Sequence, residues 1–258
     1  MNNILIKVEN LVKTFGGLVA LNDCSLEIQD KAITGIIGPN GSGKTTLFNV
    51  ITGNLKPDTG KVFYNGVEIT NEESHDLFHL GVLRTFQIAH EFSNMTVIEN
   101  LMVVPGNQKG ERLLYSLMNS QKIKKEDELI KDKAMEVLKF LKIEHLKNER
   151  AGNLSGGQKK LLELARTMMV DAKIVFLDEV GAGVNKTLLR DISDSILKLN
   201  QDKGYTFCMI EHDFNFISEL CDPVIVLAEG SVLFKGSADD VKSNEQVIES
   251  YLGKGLKK

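Results

Sequence analysis

The sequence predicts an α/β protein with a mostly parallel sheet, an antiparallel β part and an inserted helical part. Short, continuous apolar runs at Ala32–Ile37, Ile174–Leu177 and Tyr205–Ile210 are typical of strands buried on both faces. They alternate with helical patterns such as Leu188–Leu199, an order that favours a parallel sheet wrapped by helices. An Asn-Gly pair at positions 65 and 66, between two short apolar runs, predicts a tight antiparallel hairpin beside that sheet.

The remaining strands are expected near the two ends of the chain. Ile4–Val8 and Ser25–Ile28 have strand-like patterns, and Lys13–Gly17 between them indicates a turn. Near the other end, Val224–Leu227 and Ser231–Phe234 flank an acidic residue and a glycine, which predicts an edge hairpin.

The middle of the chain predicts helices. Thr96 and Glu99 have the spacing of a capping box. The charged stretch from Asn107 to Asp132 is typical of solvated helix and loop, and the next helix places Met135, Leu138 and Leu141 on one face. A further helix within Ser155–Met169 is expected to bury Leu161, Leu164, Ala165 and Met168. We therefore expect one domain over residues 1–258. Its core and antiparallel part would cover about 1–88 and 160–258, and a helical subdomain about 89–159.

Bulk composition excludes several classes of protein. With 42% hydrophobic and 26% charged residues the chain has a globular composition, and its net charge of −4 argues against a general nucleic-acid binder. No apolar run is long enough to span a bilayer, and the first residues lack the apolar core of a secretory signal. Cys24, Cys208 and Cys221 are scattered and indicate reduced core thiols in a cytosolic protein. The lysine-rich end (Lys254, Lys257, Lys258) suits either an anionic membrane surface or a solvated tail.

The segment that follows the first buried run has the pattern of a phosphate-binding loop. Gly-x-x-x-x-Gly-Lys-[Ser/Thr] occurs between a predicted strand and a predicted helix, the context that this motif requires. Glycines let successive N–H groups point at an anion, Lys44 can reach the β- and γ-phosphates, and the Thr45 hydroxyl can bind Mg²⁺. The alternative is a glycine-rich turn without a ligand. The candidate nucleotide-binding residues are Gly38, Asn40, Gly41, Ser42, Gly43, Lys44, Thr45 and Thr46.

Polar side chains follow two more of the predicted parallel strands. Asp178 and Glu179 come directly after Ile174–Leu177, at the end of the strand where open α/β sheets bind ligands. Asp178 suits Mg²⁺, and Glu179 suits a general base that polarises an attacking water. A loop that only caps a helix is the alternative. His212 follows the next strand and is a candidate γ-phosphate sensor, or simply a polar surface residue.

A second anion-binding pattern decides between families. Leu154-Ser155-Gly156-Gly157-Gln158 places a serine and two glycines at a predicted helix start, although one triphosphate does not need two such sites. Together with the phosphate loop, this string resembles the ATP-binding-cassette (ABC) ATPases, and the motifs occur in that family's order over essentially the whole chain. The resemblance implies a P-loop NTPase (RecA-like) core, ATP and Mg²⁺ as ligands, and ATP hydrolysis.

The resemblance also implies roles for particular residues. Phe15 would stack on adenine, and Gln87 would contact Mg²⁺ or water. Ser155, Gly156, Gly157 and Gln158 of one subunit would bind the γ-phosphate held by Lys44 of another, and His212 would be the switch histidine. The loop after Glu179 departs from the family pattern, because Val180 replaces a common proline and an aspartate is missing between Gly181 and Asn185.

Finer resemblance points to a transport subunit. Phe15–Leu21, Gly81–Gln87, the Ala-Gly-Val-Asn loop and Tyr251-Leu252-Gly253 are similar to ATP-binding subunits of branched-chain amino acid importers, with urea-type importers close behind. The implied partners are a second ATPase subunit, membrane permease subunits and, indirectly, a substrate-binding protein. The implied location is cytoplasmic, peripheral on the inner face of the cell membrane. Docking to the membrane partner would involve Gln87, Phe92 and Met95, and the alternative is that the apolar side chains belong to the core.

Other classes stay open in principle. Non-transport ABC ATPases usually carry two cassettes or a long coiled coil, and this chain has one phosphate loop and no sustained heptads. A P-loop kinase or a switch GTPase would not explain the stretch at Ser155. The sequence does not distinguish a homodimer from a heterodimer.

Overall fold

The computed structural model describes residues 3–85, 91–106, 108 and 120–252. By their contacts they form two compact units. Unit 1 contains the described residues within Met1–Gln87, Lys173–Ala182 and Ile196–Lys258, and unit 2 those within Ile88–Ala172 and Gly183–Ser195. In this part of the chain no helix is long and apolar enough to cross a bilayer.

Strands and helices alternate through much of the described chain. The strands are β1 (Ile4–Phe15), β2 (Leu18–Gln29), β3 (Ile33–Ile37), β4 (Thr59–Tyr64), β5 (Val67–Glu68), β6 (Val82–Arg84), β7 (Ile174–Asp178), β8 (Thr206–Ile210), β9 (Val224–Ala228) and β10 (Ser231–Gly236). The helices are α1 (Lys44–Ile51), α2 (Ser74–His79), α3 (Val97–Met102), α4 (Ser120–Phe140), α5 (Gly156–Met168), α6 (Lys186–Lys203), α7 (Phe214–Leu220), α8 (Ala238–Ser243) and α9 (Glu245–Leu252). Two 3₁₀ turns lie at Glu144–Leu146 and Ala151–Asn153.

The larger sheet is mostly parallel, as predicted. Its strand order is β10-β9-β3-β8-β7-β6, and only the edge strand β10 runs antiparallel to its neighbour. Every residue of β3, β7 and β8 is buried, which explains their uninterrupted apolar sequences. The pairing of β6 with β7 was not predicted, because so short a strand has no period to detect.

The smaller sheet is antiparallel, with the order β2-β1-β4-β5. Its first hairpin is longer than predicted: Lys13–Phe15 belongs to β1, so the turn is only Gly16-Gly17. Irregularities in the β1–β2 register, including a left-handed Asn10, break the alternation that marks a strand in the sequence. The predicted Asn65-Gly66 hairpin is confirmed, with both turn residues at positive φ and Tyr64 paired with Val67.

Unit 1 has a continuous hydrophobic core. It joins β1, β2 and β4 to α1 and the large sheet, and Phe48 of α1 meets Phe176 of β7 edge-on at 5.0 Å between ring centroids. Cys24, Cys208 and Cys221 are buried and free, as expected. Burial raises the pKa of Cys24 to about 11 and that of Cys221 to about 12, so these thiols stay protonated at neutral pH.

Unit 2 is helical in its described residues. The predicted capping box of Thr96 and Glu99 opens α3. Two predicted core methionines, Met135 and Met168, are only half-buried. Near the end of α4, Ala134, Val137 and Leu138 are buried together with Leu141 just after the helix, and Met169, just after α5, is buried in place of Met168. Both methionines lie one position from the centre of the buried face of their helix. The spacing of apolar residues in a sequence does not distinguish such neighbouring positions well.

Candidate nucleotide-binding and catalytic site

The topology of unit 1 brings three predicted motifs to one edge of the large sheet. Strands β3, β8 and β7 are neighbours and run parallel, so their carboxyl ends lie side by side. The phosphate loop follows β3, Glu179 follows β7, and His212 comes two residues after β8. Ligands bind outside the carboxyl ends of strands in open α/β sheets, and the parallel pairing therefore builds a candidate site there.

The phosphate loop curls as its sequence predicts. Gly41 and Gly43 have φ of 80° and 97°, and α1 starts at Lys44 directly after them. Lys44 is buried, and its ammonium donates to the carbonyls of Gly38 at 2.8 Å and Pro39 at 3.0 Å. Burial lowers the pKa of Lys44, and the charges of Glu179 and Asp178 oppose that shift. The loop thus places a glycine-rich turn, a helix start and a cation together, the combination that binds an anion.

Gly38 has no room for a side chain, because a Cβ there would lie 2.2 Å from the Leu227 carbonyl oxygen and 2.7 Å from Ser42 Oγ. We expect Gly38→Ala to lower the free energy of unfolding by about 1–3 kcal/mol or to displace the loop and weaken nucleotide binding. Denaturant unfolding and fluorescent ATP binding measure the two effects. Gly17→Ala, in open space, is the matched control. Parental stability and affinity in Gly38→Ala would contradict the close approach.

The oxygen atoms suited to Mg²⁺ lie on Asp178 and Thr45. Asp178 ends β7 with a side chain 3% exposed, and its Oδ2 accepts from Arg84 at 2.7 Å. Arg84 thus contacts Oδ2 and not Oδ1, and Thr45, in the first turn of α1, is exposed. A carboxylate and a hydroxyl are ligand types that Mg²⁺ takes, so the donor set fits this ion. Gln87, the third expected ligand, lies outside the described residues.

Glu179 and His212 meet directly. His212 Nε2 and Glu179 Oε1 are 2.8 Å apart, and since an ionised carboxylate only accepts, the imidazole donates. The Glu179 backbone is left-handed (φ 51°), and its N–H donates to the carbonyl of Ile210 at 2.9 Å. A left-handed non-glycine residue costs about 1 kcal/mol or more, and such strain concentrates at functional sites. The sequence did not indicate this conformation.

Phe15, the expected adenine-stacking residue, ends β1 with 48% of its surface exposed. The Lys13 ammonium lies 5.8 Å from its ring centroid. Asp58 binds Lys13 at 2.8 Å and both the N–H and hydroxyl of Thr14 at 2.7 Å. These hydrogen bonds lower the pKa of Asp58 to about 2. Sequence reasoning missed Asp58, which nothing in its local pattern distinguishes from a turn residue.

The residues of the second anion-binding pattern form the start of α5 in unit 2. Ser155 Oγ accepts from the Gln158 N–H at 3.4 Å, and Gln158 Oε1 accepts from the Ser155 N–H at 2.8 Å. This is a capping box, which the sequence interpretation did not identify. Gly156 faces open space, whereas a Cβ on Gly157 would lie 2.2 Å from Leu188 Cδ2. The cap leaves the Ser155 hydroxyl proton available to an anion.

The atypical loop after Glu179 is held at both ends. Val180 is buried, and the Gly181 N–H donates to Glu211 Oε1 at 2.8 Å. At the other end Asn185 Oδ1 accepts from the Leu188 N–H at 2.9 Å and caps the start of α6. An asparagine therefore provides a cap here, a role in which asparagine and aspartate are interchangeable.

Of the residues expected to face a membrane partner, Phe92 is 49% exposed and Met95 is half-buried. The Arg166 guanidinium lies 5.6 Å from the Phe92 ring centroid. The Phe92 backbone is fixed by the buried Asn100, whose Oδ1 accepts from the Phe92 N–H at 2.8 Å. Phe92 is therefore an exposed residue on a segment whose backbone is hydrogen-bonded to Asn100. The alternative that Phe92 belongs to the core is wrong.

Comparison with known proteins agrees with the motifs. The family model described as ABC transporter matches residues 21–182. A relative from Archaeoglobus fulgidus, a probable branched-chain amino acid transport ATP-binding protein LivG, is 43% identical over 96% of this chain and 95% of its own length.

Solved structures show the same fold. The ADP conformation of an ABC transporter cassette is 40% identical with a TM-score of 0.82 over 97% of this chain and 99% of its own. A dimeric bacterial ABC transporter cassette is 25% identical with a TM-score of 0.74, over 91% of this chain and 99% of its own. The expected P-loop NTPase core is confirmed, and the chain belongs to the ABC transporter family as one of its ATP-binding, ATP-hydrolysing cassettes.

Proposed function

We propose that this chain is the ATPase subunit of an importer for branched-chain amino acids, working in a head-to-tail pair. The observation that carries the ATPase part is the convergence of the phosphate loop, Asp178, and the Glu179–His212 pair on three neighbouring strand ends. The relative's name, covering nearly the whole chain, supports the substrate class. The proposed division is a core with the antiparallel part at about 1–88 and 160–258, and a helical subdomain at about 89–159.

ATP binding uses residues of both units. Phe15 stacks on adenine, the loop N–H groups hold the phosphates, and Lys44 leaves its carbonyl partners to contact the β- and γ-phosphates. The start of α5 on a second copy, or on a related chain, closes over the γ-phosphate with Ser155, Gly156, Gly157 and Gln158. An anion at a helix N-terminus gains from the free N–H groups there, and the capping box has already ordered this one.

Thr45, Asp178 and Gln87 are the residues that we assign to Mg²⁺. When bound, the ion would supply positive charge that neutralises the phosphate oxygens. In the described residues no group of three or more histidine, cysteine or acidic side chains is placed to hold a metal ion. A single buried carboxylate with hydroxyl and amide oxygens is what an ion held chiefly by the nucleotide and water requires.

Hydrolysis depends on Glu179 as general base. Its Oε1 accepts from His212 at 2.8 Å, which orients the carboxylate that takes a proton from the attacking water. The positive charge of Lys44 stabilises the negative charge that the γ-phosphate oxygens carry in the transition state. His212 is 52% exposed at its side chain, which leaves it accessible to the phosphate.

The result of ATP binding and hydrolysis is a movement of the two subunits. ATP favours the closed pair because only that state completes both halves of each site, and hydrolysis removes the bridging phosphate so that the pair opens. The exposed Phe92, with Gln87 and Met95, transmits this change to permease subunits, so the chain works as a peripheral protein on the cytoplasmic face of the membrane. A substrate-binding protein takes part indirectly, and nucleic acid does not.

The test is uptake in cells that lack the gene for this chain. We expect uptake of labelled leucine, isoleucine and valine to fall, and to return with the parental gene but not with Lys44→Ala. That variant removes the buried ammonium of the phosphate loop, which is expected to cost about 10²-fold or more in hydrolysis. Labelled urea measured in parallel is the matched substrate control.

Each alternative has its own outcome. Loss of urea uptake with unchanged leucine uptake would assign the chain to a urea-type importer. Unchanged uptake of both, with ATP hydrolysis by the purified chain intact, would favour a non-transport ABC ATPase and contradict the transport part of the proposal.

A further inference from the structure

Arg84 has no role in the function proposed above, yet it lies at the centre of the site. It is the last residue of β6, and it pairs with Phe176 of the neighbouring parallel strand β7. Its side chain is only 8% exposed. A buried arginine is uncommon, because its charge must be compensated by specific partners.

The guanidinium group joins two motifs of the site. Nη2 donates to Asp178 Oδ2 at 2.7 Å, and Nη1 donates to the side-chain oxygen of Asn49 on α1, the helix that begins at Lys44. The group also lies over the Phe48 ring, with 5.8 Å between the guanidinium carbon and the ring centroid. Two donors of one planar fork therefore tie the end of β7 to the helix of the phosphate loop.

The contact with Arg84 determines which oxygen of Asp178 is available to a metal ion. Arg84 occupies Oδ2 and does not contact Oδ1. Hydrogen bonds that hold a metal-binding carboxylate orient it, and their loss typically costs about 10–100-fold in metal affinity or activity. Among the described residues the buried Nε of Arg84 has no hydrogen-bond partner, so there Phe48 and the two hydrogen bonds fix the group.

We propose that Arg84 is a positioning residue of the Mg²⁺ site, an inference that rests on the proposed metal role of Asp178. Its fork holds Asp178 with Oδ1 free for the ion or an ion-bound water. Through Asn49 it fixes that carboxylate relative to α1, which carries Thr45. A lysine retains the charge but is a single point donor, so it cannot hold Asp178 and Asn49 in this geometry.

The experiment compares the affinity of a fluorescent, non-hydrolysable ATP analogue in saturating Mg²⁺ and in EDTA. The ratio of the two dissociation constants is the coupling between ion and nucleotide on the protein. We expect Arg84→Lys to reduce this ratio by about 10-fold or more, towards that of Asp178→Asn, while affinity in EDTA stays parental. Lys61→Arg, the opposite exchange in the exposed pair with Glu68, is the control and is expected to leave the ratio unchanged.

A parental ratio in Arg84→Lys, with Asp178→Asn reduced, would overturn the role of Arg84 and leave the metal site standing. A chain that shows no Mg²⁺ enhancement in its parental form would instead overturn the metal role itself. Asn49→Ala separates positioning from folding, because it breaks half of the fork and keeps the Arg84–Asp178 ion pair. An unchanged ratio in that variant would also contradict the proposal, and thermal unfolding in EDTA reports whether each variant is folded.

Discussion

Glu179→Gln is expected to reduce ATP hydrolysis by about 10²–10⁴-fold while ATP binding persists. Glutamine has the size of glutamate and keeps an oxygen that can accept from His212, so the contact now 2.8 Å long can re-form. It cannot take a proton from water. With the γ-phosphate uncleaved, the ATP-bound pair should accumulate. Steady-state phosphate release measures the first effect, and gel filtration with and without ATP measures the second.

The matched control is Glu68→Gln, which removes a carboxylate from the exposed pair with Lys61 outside the site. We expect it to hydrolyse ATP at the parental rate. Parental hydrolysis in Glu179→Gln would contradict the general-base assignment. A slow variant that also fails to bind ATP would indicate that Glu179 holds the loop rather than activating water, in keeping with its left-handed backbone.

The parts of the fold that the sequence predicts well are those fixed by local rules. The Asn65-Gly66 turn, the capping box of α3 and the strand–loop–helix at Gly38–Lys44 each depend on a few adjacent residues with special backbone or hydrogen-bonding properties. Continuous apolar runs identified β7 and β8, because a strand buried on both faces has apolar residues at successive positions rather than at alternate ones. From the order of these elements the carboxyl-end site could be predicted.

The parts that the sequence does not predict depend on contacts between distant residues. Arg84 and Asp178 are separated by 94 positions, and their meeting requires the parallel pairing of β6 with β7. Asp58 and Thr14 are 44 positions apart and meet where β1 ends. Local propensity carries no information on such pairs. The left-handed Glu179 is likewise imposed by its surroundings, since a glutamate alone disfavours that conformation.

The residues at the start of α5 have a local role, capping the helix, and a proposed role in binding the γ-phosphate of a second subunit. Ser155 and Gln158 satisfy each other in a capping box, which alone would explain a serine and a glutamine at this spacing. That cap does not need Gly156, whose position faces open space. A glycine where a side chain would fit indicates that something else approaches closely, and the proposed γ-phosphate of a second subunit is such a group. The mixing experiment below tests this directly.

Two inactive variants are expected to restore hydrolysis when mixed. Lys44→Ala disables the phosphate loop, and Ser155→Asp keeps a helix-capping side chain but places a negative charge against the γ-phosphate. In a head-to-tail mixed pair, Lys44 of the Ser155→Asp subunit and Ser155 of the Lys44→Ala subunit form one intact site. Since half of randomly formed pairs are mixed and each has one working site of two, recovery should reach roughly a quarter of parental activity.

The control is Lys44→Ala mixed with the double variant that carries both changes on one chain. No intact composite site can form in that mixture, so no recovery is expected. Affinity-tagging one variant and recovering the other shows whether mixed pairs exist in each case. Mixed pairs without recovered hydrolysis would contradict a site shared between subunits, and Ser155 would then act only as the cap of α5. Recovery confined to the complementary mixture would instead require that each ATP be held by Lys44 of one subunit and Ser155 of the other, because neither variant contains both.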